Sequence, residues 1–360
     1  MADDSRLNNF DLIRLVAASS VAIDHTTRHL DLSFGTFGEV AQTFYTLFPG
    51  VPVFFVVSGY LVSASFHRSP SLSAYARKRA LRIFPALWLV FFGSLATVVA
   101  FGFVTREVAL SPAFFAWCAG QLTVMQIYNP DFLRGFGVGV LNGSLWTVPV
   151  EIGFYVALPM IFGLATRARL AGTKLDSCLV GLVLASWALG RWVLTHPDLE
   201  SSYLLKLIRY SPLSHLWVFL LGVLLQRHSG WVERVVAGRA LPWVACYVAL
   251  FQVGREADWI GSAWFELLAR VLLAHCVLAL AFTGRNLSHR LLRENDISYG
   301  IYLVHMPIVN TLLHQGWSNE RWLLAVALGA SAVLATLSWK LVEQPALALK
   351  PTRRSWPRRP

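Results

Sequence analysis

Charged side chains are scarce in this sequence of 360 residues. Lys, Arg, Asp and Glu together make up 14% of it, where soluble domains carry roughly 25%, and 56% of the residues are hydrophobic. So few charges cannot coat a soluble surface, which argues against a disordered chain, a coiled coil and a two-domain cytosolic enzyme. The composition instead predicts an all-α polytopic transmembrane helical bundle.

Cysteine is scarce as well. The four cysteines stand alone in separate apolar stretches, without a C-x-x-C pair or the spacing of metal ligands: Cys118, Cys178, Cys246 and Cys276. We therefore expect no disulfide framework and no bound metal, and we interpret the cysteines as buried structural thiols.

Long apolar runs are what the sequence does contain. A bilayer core of about 30 Å needs roughly 20 apolar residues per helix. About ten spans are predicted, at 9–30, 46–66, 83–104, 144–165, 176–194, 211–227, 240–254, 263–283, 297–315 and 321–343. A further apolar stretch, 112–127, is shorter and contains Pro112, Gln121 and Gln126.

The few charges are mostly positive, with 31 Lys and Arg against 20 Asp and Glu. Twenty of these cations fall on one alternating set of loops and termini, and five fall on the other set. The positive-inside rule then places both termini in the cytoplasm. If 112–127 also crossed, every later basic loop would lie outside, so we expect this stretch to lie on or dip into the outer face.

The domain organisation follows from the same pattern. We expect one membrane domain, 1–345, and a basic, disordered cytoplasmic tail, 346–360. A positive-inside anchor that contacts membrane lipid explains the cations of the tail, so nucleic acid is not an expected partner. The sequence leaves the oligomeric state open.

Three polar residues stand out in the first span, where charged groups are costly. Arg14 and His25 are eleven residues apart, which places them on one helical face about 16 Å apart along the axis. Asp24 is the neighbour of His25 and could orient or charge the imidazole. The alternative is a snorkelling Arg14 and an interfacial His25.

A second polar cluster lies where the chain re-enters the membrane from the cytoplasm. Arg79 and Arg82 would share a face if the helix starts early. Guanidinium forks suit phosphate groups. An ordinary basic flank of a span would look similar.

Further polar residues fall inside later spans. Glu151 follows a proline in the fourth span, and either a catalytic role or a plain pairing with a buried arginine accounts for it. Lys340 and Glu343, three residues apart, could pair near the inner face. The Ser58-Gly59-Tyr60 turn either places a hydroxyl in a cavity or allows close helix packing, which we favour.

Six segments in order resemble acyltransferase family 3, membrane proteins that acylate sugars of O-antigens, exopolysaccharides and related glycans. The resemblance extends from Phe10 to Pro345, with one departure at Val304, where many members have Trp. The segments are Arg14-x10-His25, Gly50 to Leu61, Arg79-x-x-Arg82, Ser144-Leu145-Trp146-Thr147-x-x-x-Glu151, Ser298 to Pro307 and Glu343-x-Pro345.

This resemblance implies an O-acyltransferase of the bacterial inner membrane. Its donor would be acyl-CoA, by default acetyl-CoA, reached from the cytoplasm, and its acceptor a glycan or lipid-linked glycan. His25 would act as a general base or carry the acyl group, with Asp24 or Glu151 orienting it. Arg14, Arg79 and Arg82 would hold the CoA phosphates. The motif residues predicted to bind substrate are Ser58, Tyr60, Trp146 and His305.

A rival hypothesis is a transporter or flippase. Intramembrane Arg, His and Glu also mark the paths of substrates and protons. Turnover of an acyl thioester separates the two hypotheses.

Overall fold

The computed structural model describes residues 8–196 and 203–350, and all regular structure in these ranges is helical. The α-helices are α1 (Phe10–His29), α2 (Thr36–Leu47), α3 (Gly50–His67), α4 (Leu72–Ala100), α5 (Arg106–Ala109), α6 (Pro112–Leu122), α7 (Thr147–Arg167), α8 (Gly172–Thr195), α9 (Tyr203–Arg209), α10 (Leu216–Arg227), α11 (Ser229–Trp231), α12 (Ala240–Glu256), α13 (Ala263–Ala281), α14 (Leu287–Leu292), α15 (Ser298–His314), α16 (Trp322–Ser338) and α17 (Gln344–Ala348). Short 3₁₀ turns occur at Asp131–Leu133, Gly143–Trp146 and Pro212–Ser214, and π turns at Val232–Val236 and Trp339–Glu343.

The predicted fold class, a polytopic helical membrane protein, is confirmed. Each of the ten predicted spans contains a helix. Six segments among the described residues are long and apolar enough to cross a membrane, and a pair bent by 87° gives a seventh. α10 and α15 are shorter, at 12 and 17 residues, and α1 carries several charges. Ten crossings and cytoplasmic termini therefore remain predictions.

Two features lie outside the predicted boundaries. α2 occupies most of 31–45, the stretch between the first two predicted spans, and Pro49 lies between α2 and α3. At the other end of the chain, α17 continues to Ala348. The rest of the predicted tail, 351–360, lies outside the described residues.

α3 and α10 cross at a pair of glycines. A Cβ on Gly59 would lie 2.0 Å from the carbonyl O of Phe219, and a Cβ on Gly222 would lie 2.2 Å from the carbonyl O of Val56. No larger residue fits at either position without moving backbone. Small residues that bring two backbones together are the usual device of helix pairs in membranes. Gly59 thus serves close packing, as the sequence favoured.

Two prolines inside helices free carbonyl groups that other segments then bind. Pro159 in α7 cannot donate to the carbonyl of Tyr155, and the hydroxyl of Tyr75 donates to that oxygen at 3.0 Å. Pro307 in α15 likewise frees the carbonyl of Leu303, and Asn142 donates to it from Nδ2 at 2.7 Å. Such replacement bonds are what makes proline tolerable in a membrane helix.

α6 and the residues after it lie along the C-terminal half of α4. Trp88 donates from Nε1 to the carbonyl of Leu122 at 2.9 Å, about 18 Å from the end of α4 at Ala100. The chain then returns, and the ring centroid of Phe136 lies 5.9 Å from that of Phe101. The segment enters and leaves at the same end of α4, the geometry expected of a stretch that dips in without crossing. That the stretch 112–127 does not cross the membrane remains a prediction.

Candidate active site

Two histidines meet where α1 and α15 pack together. His25 Nδ1 lies 3.0 Å from His305 Nε2, and His305 is 1% exposed. The predicted shared face of Arg14 and His25 is confirmed, because Arg14 NH1 lies 2.6 Å from Asp296, directly before α15. Both residues therefore contact the same neighbouring segment, at its start and near its middle.

The hydrogen bonds of this pair fix where its protons lie. His305 Nδ1 lies 3.1 Å from the carbonyl of Ile301, which can only accept, so we infer that this nitrogen carries a proton. In the neutral ring His305 Nε2 then has a lone pair and requires a donor. His25 Nδ1 and Ser144 Oγ each lie 3.0 Å from this nitrogen; where His25 Nδ1–H is the donor, the lone pair of His25 is on Nε2. A general base or nucleophile needs this arrangement.

Ser144 completes the pair. Its hydroxyl lies 3.0 Å from His305 Nε2 and 3.4 Å from His25 Nδ1, and the side chain is 1% exposed. Asn142 anchors this turn through Leu303, as described above. The side chain of Asn310 binds the segment just before it, accepting from Val138 N and donating to two carbonyls. The side chains of Asn142 and Asn310 thus tie the segment around Ser144 to α15.

The two carboxylates expected to orient His25 lie elsewhere. Asp24 forms an ion pair with Arg28 one turn later on α1. Glu151 accepts a hydrogen bond from the hydroxyl of Tyr155 and lies 3.5 Å from Ser58 Oγ. The residues that contact the His25 ring are His305 and Ser144. Neighbouring residues on a helix point about 100° apart, so the side chain of Asp24 lies on a different face of α1.

Asp296 is the counter-ion of two predicted phosphate-binding arginines. Its carboxylate pairs with Arg14 at 2.6 Å and with Arg82. Burial alone would raise the pKa of this carboxyl, but the two guanidinium groups outweigh burial and hold the pKa well below its usual range. Ser298 Oγ donates to the same carboxylate at 2.5 Å. Arg14 and Arg82 are therefore already partly neutralised.

Arg79 keeps more of its hydrogen-bonding capacity. Its NH2 lies 3.3 Å from Ser65 Oγ and its guanidinium lies over the ring of Tyr155. Its buried Nε has no hydrogen-bond partner among the described residues. A buried donor of this kind is costly unless something binds it. Arg79 and Arg82 share a face, as predicted, because α4 begins already at Leu72.

A cavity of about 110 Å³ connects these arginines with the middle of the bundle. We call it the arginine cavity; its lining includes Arg14, Ser58, Arg79, Arg82, Glu151 and Tyr302. Ligand pockets usually measure roughly 300–1,000 Å³, so this one accepts a slender chain rather than a whole nucleotide. At its far end the Tyr302 hydroxyl bonds to Thr147 and to the carbonyl of Ser144. One turn of α15 therefore separates the cavity from the histidine pair.

A second and wider opening lies beside Trp146, directly before the start of α7. It consists of two adjoining hollows of about 390 and 440 Å³ that share Trp146, Val193, Arg209 and Tyr210. We call them together the aromatic cleft. Asn142 and Gly143, just before Ser144, line one hollow. Val51 and Phe55 line both the other hollow and the arginine cavity, so the two openings share a wall.

The predicted substrate-binding residues separate into four places. Ser58 lines the arginine cavity, and Trp146 lines the aromatic cleft. His305 is buried against His25. Tyr60 packs its ring against Phe10 and Phe282, so we see no contact that brings it to the site.

Sequence reasoning missed Asp296, Tyr302 and the placement of Ser144. Asp296 was detectable as an acid at the end of a basic loop, shortly before a span. The expected pairing of Lys340 with Glu343 was wrong: Glu343 accepts from Ser338 Oγ at 2.9 Å, inside the π turn. No group of three or more His, Cys, Asp or Glu able to hold a metal occurs in residues 8–196 and 203–350.

With this geometry established, comparison with known proteins identifies the family. Residues 7–339 match the profile of an acyltransferase domain. The chain belongs to this acyltransferase family. It is the family that the six sequence motifs indicated.

Individual relatives agree. The chain is 34% identical over 355 residues to nodulation protein 10 of Rhizobium leguminosarum bv. viciae, covering 95% of this chain and 94% of the relative. It is 30% identical over 356 residues to an O-acetyl transferase of Shigella phage Sf6, covering 94% and 95%. No solved structure matches the chain.

A more distant relative is longer. The O-acetyltransferase OatA of Staphylococcus aureus is 22% identical over 336 residues, which are 83% of this chain but only 52% of the relative. This chain therefore spans about half of that protein. Family and relatives together support a multi-pass membrane O-acyltransferase.

Proposed function

We propose that the protein transfers an acetyl group from acetyl-CoA to a hydroxyl of a cell-surface glycan or of its lipid-linked precursor, in a bacterial inner membrane. The observation that carries the proposal is the His25–His305 pair. It presents an imidazole one turn of α15 beyond Tyr302, which lines the arginine cavity. One opening is suited to a donor and the other to an acceptor.

The arginine cavity fits part of an acyl-CoA. Arg79, with its unpartnered Nε, would hold phosphate groups at the mouth together with Arg14 and Arg82, which are already paired with carboxylates. The narrow interior, about 110 Å³, would take the flexible arm that carries the thioester. The bulky nucleotide would stay at the mouth, which the positive-inside rule places in the cytoplasm.

His25 would act as the general base. Nε2 takes the proton of the acceptor hydroxyl while the hydroxyl oxygen forms a bond to the acyl carbonyl carbon. The bond between that carbon and sulfur breaks, and the thiolate leaves and receives the proton from His25. The positive charge that develops on His25 spreads into the hydrogen bond with His305.

The proposal is tested by linking the gene to a product. Surface glycans from cells with and without the gene are compared by mass spectrometry before and after mild alkali treatment, which removes O-acetyl groups. An alkali-labile acetyl group present only with the gene supports the proposal. A transporter would move a substrate without consuming the thioester, so transport by purified protein without release of CoA would overturn it.

A further inference from the structure

One acid lines the arginine cavity, and no arginine neutralises it. Glu151 is the only acid among the described residues of the lining, which also includes three arginines. Arg14 and Arg82 pair with Asp296, and Glu151 forms no ion pair with any described residue. A plain pairing with a buried arginine therefore does not account for Glu151. An ionisable side chain inside a membrane span is costly, and without a charged partner it points to a functional role.

The two carboxylate oxygens of Glu151 differ in their contacts. Oε1 accepts a hydrogen bond from the hydroxyl of Tyr155 and lies 3.5 Å from Ser58 Oγ. Oε2 accepts no hydrogen bond from any described residue, although the side chain is half-buried. A carboxylate oxygen removed from water is costly unless a donor binds it. Tyr155 and Ser58 thus orient the side chain and leave one strong acceptor for a ligand in the cavity.

Glu151 lies midway along the depth of the cavity. On α7 it follows Thr147 by one turn and precedes Tyr155 by one turn, so about 6 Å of helix axis separates it from each. Tyr155 lies under the guanidinium of Arg79, and Thr147 bonds to Tyr302 at the far end. A ligand that reaches from the arginines toward the histidine pair therefore passes Glu151.

The hydroxyl groups of the lining already donate to acceptors within the protein. They belong to Ser58, Thr147, Tyr155, Ser298, Tyr299 and Tyr302. The strongest acceptor left in the middle of the lining is therefore Glu151 Oε2, and a ligand with an N–H group complements it.

We propose that Glu151 Oε2 accepts a hydrogen bond from an amide N–H of the donor's arm, and that Glu151 thereby selects thioesters whose arm contains amide groups. This inference rests on the proposed acyl transfer. The arm of acetyl-CoA contains two amides between its phosphates and its sulfur. An amide N–H that enters a narrow cavity loses its water and requires an acceptor, and a bond to a carboxylate is of the strong, charge-assisted kind.

Binding of donor analogues to the full-length protein in nanodiscs, without an acceptor, tests this assignment. The probes are acetyl-CoA and two analogues in which one or the other amide N–H is replaced by oxygen, which gives an ester of nearly the same shape. One analogue should bind the wild type about 10- to 100-fold more weakly than acetyl-CoA, as for the loss of a hydrogen bond to a charged group. The analogue affected identifies the amide that lies at Glu151.

Variants show whether Glu151 is responsible for this preference. Glu151→Ala should bring the affinities for acetyl-CoA and the affected analogue to within about twofold of each other. Glu151→Gln keeps an acceptor oxygen without the charge and should retain a preference of about three- to tenfold. Glu320→Gln changes an exposed acid outside the cavity; it is the matched control and should keep the wild-type preference. If Glu151→Ala does not fold, Glu151→Gln decides, and an undiminished preference there would contradict the inference.

A purely structural role for Glu151 would weaken the binding of all three probes alike and leave their ratio unchanged. The inference is overturned by that result, by equal affinities of the wild type for the three probes, or by a preference that Glu151→Ala retains. The proposed acyl transfer fails separately. A preference that depends on Glu151, without any acyl transfer by the wild type when an acceptor is supplied, would refute the function and leave the binding role standing. Transfer without a preference would refute the role of Glu151 alone.

Discussion

His25 Nδ1 and His305 Nε2 lie 3.0 Å apart, and the carbonyl of Ile301 lies 3.1 Å from His305 Nδ1, so that His25 Nδ1–H can donate to the lone pair of a neutral His305 ring. The consequence is a single free lone pair, on His25 Nε2. His305 therefore acts through His25 rather than on the substrate, as an acceptor that is itself locked in one tautomer.

Replacing His305 should lower kcat while leaving the KM for acetyl-CoA unchanged. His305→Ala removes the acceptor of the His25 proton, and a loss of about 100-fold in kcat is expected, the lower range for a displaced general base. His305→Gln keeps an acceptor oxygen in reach and should recover part of this loss. The pH profile of kcat should shift in His305→Ala, whereas a purely structural role for His305 would leave the profile in place and give no recovery with Gln.

The bond between Asn142 and the Leu303 carbonyl depends on Pro307. Asn142→Ala should lower the free energy of unfolding by about 1–3 kcal/mol, because it leaves a buried carbonyl unpaired. Pro307→Ala restores the helical N–H donor to that carbonyl, so Asn142→Ala should cost much less in the Pro307→Ala background. Thermal unfolding in detergent of the four proteins of this cycle measures the coupling. Equal costs in both backgrounds would contradict the account.

Arg79 should bind the donor. Arg79→Gln is expected to raise the KM for acetyl-CoA about 10- to 100-fold, as for the loss of a hydrogen bond to a charged group, with a smaller effect on kcat. Arg77 lies in the same basic cluster but is exposed and does not line the arginine cavity. Arg77→Gln is the matched control and should behave as wild type; if the two variants are alike, Arg79 has no specific role in donor binding.

Lys350 should make donor binding depend on pH. Burial and then the neighbouring cations, the arginines of the cavity and Lys78, lower the pKa of its amine to about 8. As pH rises through this value, the amine loses its charge and its ion pair with a CoA phosphate. Such an ion pair contributes about 1 kcal/mol. The KM for acetyl-CoA should therefore rise about fivefold between pH 7 and pH 9. Lys350→Met should show the higher KM at both pH values. Lys340→Met, at an exposed position, is the control and should show the same rise in the KM with pH as the wild type.

Much of the fold and part of the site were predictable from the sequence. Bilayer thickness sets the length of each apolar segment, and helical periodicity sets which residues of one segment share a face, so both can be inferred from short stretches of sequence. The shared face of Arg14 and His25 follows from the 3.6-residue repeat, and the structure confirms it. The pairing of His25 with His305 joins residues 280 positions apart, and no local pattern encodes such a contact. Asp24 is adjacent to His25 in sequence, and its carboxylate pairs with Arg28, a contact that the sequence reasoning did not include.

The aromatic cleft could not be predicted, because it too is formed by residues that are far apart in the sequence. Its lining comes from Trp146, from the end of α8, from α9 and from α13. Each segment alone reads as an ordinary span or a short loop. Only their packing brings four cations and the aromatic wall together.

The most direct test of the account is the activity of His25→Ala in purified, full-length protein in liposomes. Release of CoA from acetyl-CoA and transfer of the acetyl group are measured together with the KM for the donor. The account predicts a loss of at least about 100-fold in the rate of acetyl transfer. The variant should keep the wild-type KM for acetyl-CoA and the wild-type elution profile in size-exclusion chromatography. A correctly inserted His25→Ala protein with wild-type transfer would contradict it.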